Sequence, residues 1–134
     1  MRCVSFKVSG KPPKKDSGKS MWSHCEVKLL REIDWGARET AGLNETFKGK
    51  VTLIVSIYDY KNSTESKADL DNLVGGICDG LQGSPDEYKK EDLFEGKPIL
   101  FEDDCQVVRI IAERRETEEP TYYIVTVIEE TCSF

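Results

Sequence analysis

Histidine is nearly missing: His24 is the only one in the 134-residue chain. Without a second imidazole a multi-His metal site is excluded, and any His-based mechanism, a triad included, is nearly so, since it would have to rest on His24 alone. The neighbouring Cys25 makes no nucleophilic pair with it, because adjacent side chains on a helix point apart. Long apolar runs are missing too. None approaches the ~20 residues a membrane helix needs, so no membrane partner is expected. The opening MRCVSFKVSG has no apolar stretch ending in a small-residue cleavage site; no signal peptide and a cytoplasmic location are expected. Cys-x-x-Cys spacing does not occur. The five cysteines, Cys3, Cys25, Cys78, Cys105 and Cys132, are scattered and odd in number, which argues against a disulfide framework and a zinc knuckle. Small thiols in a reducing compartment are the expectation. Without export, the sequons at Asn44 and Asn62 carry no meaning.

Positive charge is also in deficit. The net charge is −6, with a pI near 4.9, unlike a generic nucleic-acid binder. The distribution is uneven, however. Residues 1–40 carry nine Lys/Arg against five Asp/Glu, a net of +4, whereas residues 61–134 carry eight against eighteen, a net of −10. Such asymmetry suits a basic approach surface beside an acidic site.

What is present reads as one α+β domain over 1–134, a mixed β-sheet with two main helices in the order β-α-β-α-β-β. Val4, Phe6 and Val8 alternate with polar residues, predicting a strand over 2–9. The segment GKPPKKDSGKS reads as a basic loop. Helical spacing of Val27, Leu30, Ile33, Ala37 and Ala41 predicts a helix from about Ser23 to Ala41, stopped at Gly42. KVTLIVSIYDY is rich in β-branched and aromatic residues and predicts a central strand. Leu70, Leu73, Val74, Ile77, Cys78 and Leu81 predict a second helix over about 71–82. Gly75 and Gly76 within it each cost about 1 kcal/mol relative to Ala and suggest that another part of the chain packs very close. Residues 83–98 read as a polar loop. Strands are predicted at 99–101, 106–115 and TYYIVTVIEE.

Two motifs tempt other readings. PPKKDSGKS ends in Gly18-Lys19-Ser20, but a phosphate loop needs glycine where Pro13 stands, and proline removes an N–H that phosphate would use. Pro85-Asp86 followed by Glu95-Gly96-Lys97 is a loose match to a PD…E-x-K nuclease signature, set in a solvated loop rather than on paired strands.

The carboxylates carry more. Asp69 and Asp71 flank the start of the second helix, and Asp103 and Asp104 precede a strand. Either pair alone reads as capping or turn chemistry. Together they offer the oxygen ligands a hard divalent cation takes, and one or two carboxylates plus waters suffice. In extended backbone Asp69 and Asp71 share a face, and a strand end could deliver Asp104 to them.

The run KADLDNLVGGICDGLQG, followed by FEDDCQVVRIIAERR, resembles the signature of the RusA-like Holliday-junction resolvases: a basic residue, D-x-D-N-L, a helix, a loop, then D-D-x-Q-V. Here these stand as Lys67, Asp69-Leu70-Asp71-Asn72-Leu73, Asp79-Gly80-Leu81 and Asp103-Asp104-Cys105-Gln106-Val107. The resemblance spans most of the chain. It implies a homodimeric endodeoxyribonuclease that hydrolyses four-way DNA junctions with Mg²⁺ or Mn²⁺ and no small-molecule cofactor. Asp69, Asp71 and Asp104 would be its catalytic, metal-binding aspartates, with Asp103 beside them at the metal. Lys11, Lys14, Lys15 and Lys67 would meet DNA phosphates, with Arg114 where the family has a basic residue. One position departs: the family's catalytic helix lysine stands here as Gly75. Lys67, Lys61 or Arg114 could reach in instead. The alternative is a non-catalytic DNA- or protein-binding relative of the same fold.

Overall fold

The computed structural model describes residues 1–15, 24–63, 68–82 and 99–130. Among them run β1 (Arg2–Ser9), α1 (Cys25–Thr40), β2 (Val51–Tyr60), α2 (Leu70–Leu81), a 3₁₀ turn (Asp104–Gln106), β3 (Val107–Thr117) and β4 (Tyr122–Glu129). The order is the expected β-α-β-α-β-β. The strands form one mixed sheet ordered β1-β4-β2-β3. β4 pairs antiparallel with both β1 and β2, while β2 and β3 run parallel. A parallel pair needs a crossover, and α2 supplies it. The segment expected as a strand at 99–101 is reduced to one bridge, Phe101 with Phe47.

Period-two alternation sorts the sheet into two faces. Val4, Phe6, Val8, Leu53, Val55, Ile57, Tyr123, Val125 and Val127 are buried, packed in one core with Leu30 of α1 and Leu73, Ile77 and Leu81 of α2. On the opposite face Ser5 and Thr126 share a hydroxyl hydrogen bond of 2.8 Å, and Tyr58 stacks on Tyr122 at 4.7 Å.

The buried stripe of α1 is more polar than apolar spacing predicts. Val27 and Leu30 are buried, as expected, but so are Arg31, Asp34 and Arg38, while Ala41 is exposed. Each buried charge has partners. Arg38 forks onto Asp34 at 2.9 and 3.1 Å, and burial still raises the Asp34 carboxyl to about 6 against the pull of Arg38 and Arg31. Arg31 donates to the carbonyls of Gly80, at 2.8 Å, and Gln82. It satisfies orphan carbonyls at the end of α2, where a cation also meets the negative end of the helix dipole. Arg31 therefore fastens α1 to the end of α2, and Arg38 ties α1 to the Ile99 carbonyl at 3.3 Å. Gly42, at φ +76°, ends α1: its N–H donates to Glu39 and that of Leu43 to Arg38, the paired bonds of a Schellman cap.

Candidate functional site

The site is built on α2. Asp71, Gly75 and Asp79 recur every four residues and so share one side of the helix. Facing them is the turn that leads into β3. Between the two lies a groove of about 660 Å³ bordered by Asp71, Asp79, Asp104 and Lys15, with Val74, Val107 and Ile110 as its apolar floor. Two of the expected ligands, Asp71 and Asp104, are thus brought to one groove from positions far apart in sequence.

Asp69 stands at the N-cap of α2 in extended backbone and is exposed. Its side chain makes no capping hydrogen bond, so its carboxylate is not consumed by the helix end, and it lies outside the residues bordering the groove. Asp79 borders the groove instead. Burial raises its carboxyl above the ordinary range, Lys15 pulls it down, and Asp104 pushes it up again. The neighbouring Cys78 thiol is pushed up to about 11, chiefly by burial and then by Asp79; that holds it as an unreactive thiol.

The turn separates Asp103 from Asp104. Asp103 accepts a 2.9 Å hydrogen bond from the Cys105 N–H, and the Gln106 side chain returns to the Asp103 N–H, closing a capping box. The cap holds the Asp103 carboxyl below its ordinary range, first through that backbone bond. Gln106 also donates to the carbonyls of Phe47 and Gly49, each at 2.8 Å, pinning the turn to the chain ahead of β2. Asp104 remains to face the groove. Ligand atoms of Asp103, Asp104 and Cys105 lie within 4.8 Å of one another, all three exposed. Among the described residues no group of three such ligand atoms includes Asp71 or Asp79, so a cation in the groove would reach part of this set through water.

Gly75 and Gly76 have a physical reason. The basic loop after β1 crosses α2 here, with Pro12 and Pro13 buried, and the Lys15 N–H donates to the Asn72 carbonyl at 3.1 Å. A Cβ on Gly76 would overlap the Pro13 carbonyl. A Cβ on Gly75 would meet the Lys15 side chain at 3.4 Å, an ordinary contact. Lys15 therefore lies over the position where a helix lysine is lacking. The substitutes considered from sequence are placed elsewhere. Lys61 pairs with Glu118 at 2.8 Å. Arg114 holds Asp59 at 2.6 Å and donates to the Ala68 carbonyl, also at 2.6 Å, which anchors the residue before Asp69. Lys67 lies outside the described residues, as does the Pro85–Lys97 motif. Lys11 and Lys14 line a second cavity of about 520 Å³ beside His24 and Arg114.

Sequence reasoning assigned Lys15 only to DNA phosphates and left Asp79 out of the ligand set. The eight-residue spacing from Asp71, close to two helical turns, was the available signal for Asp79. No family model matches the chain, and no curated protein matches it.

Proposed function

We propose that this chain is a metal-dependent endodeoxyribonuclease that hydrolyses branched DNA, four-way junctions above all. The observation that supports this reading most is the single groove lined by Asp71 and Asp79 of α2 and by Asp104 of the turn before β3, with Lys15 laid over Gly75. Its donors are carboxylate oxygens, which suit a hard cation such as Mg²⁺ or Mn²⁺. A bound cation of this kind lowers the pKa of water and neutralises phosphate charge. The chain's own residues do the rest. Asp71 and Asp104 hold the cation, with Asp69 at the open end of the helix within the ligand set the resemblance implies. Asp79 adds negative charge from the groove wall. The Lys15 ammonium meets the non-bridging oxygens of the phosphate, where a preplaced positive charge favours the charge that develops. Arg114 fixes the entry to α2 through Ala68 and so positions the aspartates. Lys11 and Lys14 take flanking phosphates.

A second reading, a non-catalytic binder on the same fold, draws on Gly75 and on the groove aspartates of α2 standing outside any group of three ligand atoms within 4.8 Å among the described residues. A nicking assay on a synthetic four-way junction separates the two. Wild-type cleavage in Mg²⁺ or Mn²⁺, reduced at least ~100-fold in Asp71→Asn and Asp104→Asn, supports the nuclease. Junction binding without cleavage at any level of either metal supports the binder.

A further inference from the structure

β4 and β2 are the central strands of the sheet, and both described helices pack on one of its faces. Among the described residues no helix packs on the other. Across that open face Lys7, Tyr122, Tyr58 and Arg115 form a row, one residue from each strand. Tyr58 stands opposite Tyr122 on one side and opposite Arg115 on the other. The two rings stack at 4.7 Å and 13°, and the Lys7 ammonium lies 4.2 Å over the Tyr122 ring. The ring spacing matches the distance between neighbouring strands, so the rings stand upright on the sheet. Tyr122 is thus sandwiched between Lys7 and Tyr58. The second face of Tyr58 turns toward β3, and among the described residues no ring or cation lies over it. We propose that this open face binds an unpaired DNA strand, with a base stacked on the free face of Tyr58 and Arg115 closing over it.

The rings select the occupant. Every base has a flat π-face, and aromatic side chains on the open face of a four-stranded sheet hold unpaired strands by stacking on it. A duplex keeps those faces against one another and offers none to Tyr58. Charge at the row agrees, since Lys7 and Arg115 flank the rings. Arg115 is free to exchange partners. Its side chain is 66% exposed, and its contact with Glu113 at 3.3 Å is an exposed pair that holds little. Glu113 keeps the Ser56 hydroxyl at 3.5 Å when Arg115 leaves. A guanidinium both stacks on a base and meets phosphate. Past Tyr122 the same face opens into a cavity of about 690 Å³ bordered by Tyr60, Tyr122, Lys7, Lys11 and Ser9, with Glu119 at its rim. Tyr60 is 36% exposed there. The cavity takes the next nucleotide, its phosphate met by Lys7 and Lys11.

The metal groove is bordered by α2 and so lies on the helix side of the sheet, which makes the tyrosine row a separate surface. Only the choice of DNA over RNA rests on the nuclease reading, because stacking is blind to the sugar.

Fluorescence anisotropy of a labelled oligo(dT) with the full chain tests it. The titration is run in EDTA, so that metal binding and nicking, read elsewhere, fail or succeed separately from it. Wild type binds saturably and more weakly as salt rises. Tyr58→Leu and Arg115→Glu each raise the dissociation constant at least about fivefold, whereas Tyr58→Phe, which keeps the ring, binds as wild type does. In Tyr58→Trp, oligo(dT) quenches the emission gained over wild type, a stacking signature that a merely structural role would not give. Circular dichroism checks that each variant folds. No saturable binding, undiminished binding by Tyr58→Leu, or an equal loss in Tyr58→Phe would each overturn this surface. So would variants that weaken duplex or oligo(U) binding as much as oligo(dT) binding, or a wild type that self-associates through these residues and binds no oligonucleotide.

Discussion

Single side chains divide the acidic residues into those that build and those that wait. Asp103 is spent on its turn and Glu129 on a fork with Arg2 at 2.7 and 3.0 Å, reinforced by the Lys48 and Gly49 N–H groups. The Arg2 hydrogen bond, first, holds the Glu129 carboxyl below its ordinary range. Its contribution is therefore present above the unfolded glutamate value and is lost as pH falls through the lower folded one. Glu129→Gln should cost about 1–2 kcal/mol at pH 7, with the cost vanishing under acid, as urea melts at a series of pH values would read. Asp79 is the opposite case. Its folded carboxyl is raised, so the metal-free protein loses stability as pH rises through that raised value. Asp79→Asn should therefore be more stable than wild type at pH 7 without metal, by less than about 1 kcal/mol for a half-exposed charge. The advantage should fade in acid and shrink when Mg²⁺ is added.

At the level of elements, the helix α2 and the basic loop determine each other. Paired glycines weaken an isolated helix, yet they let the Pro13 backbone lie against α2 and bring Lys15 over its acidic side. Neighbouring substitutions should then act with opposite sign. Gly75→Ala should stabilise by up to about 1 kcal/mol through helix propensity, since its Cβ finds only ordinary contact. Gly76→Ala should destabilise by about 1–3 kcal/mol, because the Pro13 backbone must move. Thermal melts of the two variants check this. Much of this scale was legible in the sequence, because alternation and helical spacing mark β1, β2, β4 and α2, and the glycine pair signals a close approach. Turn and capping chemistry at Asp103 and Asp104 was also legible, and the capping box at Asp103 is its outcome; where the turn is fastened was not. Gln106 pins it to the carbonyls of Phe47 and Gly49, contacts nearly sixty residues away that no local pattern reports.

Across the whole molecule, the charge asymmetry resolves only in part into an approach surface and a site. Lys11, Lys14 and Lys15 gather around α2, but Arg31 and Arg38 are buried between elements and Arg114 is tied to Asp59, so counting basic residues overstates what can meet DNA. Apolar spacing found α1, with Val27 and Leu30 buried and Ile33 and Ala37 against the core, but not its buried charges, whose partners Gly80, Gln82 and Ile99 come from elsewhere in the chain. Asp71 and Asp104 were singled out by motif order, and the fold lines one groove with both. Asp79 required the groove. Among the described residues no helix is long and apolar enough to cross a membrane.

The central claim is that a divalent cation binds in the groove that Asp71 and Asp104 both line, and thermal unfolding under Mg²⁺ or Mn²⁺ titration tests it most directly. A ligand bound only by the folded state at a hundred times its dissociation constant adds about 2.7 kcal/mol, so the wild-type midpoint should climb with metal and level off as saturation continues to add only logarithmically. Asp71→Asn and Asp104→Asn should stay nearly flat over the same range. A wild-type midpoint unmoved by either metal, or a rise that persists undiminished in both variants, would contradict the account.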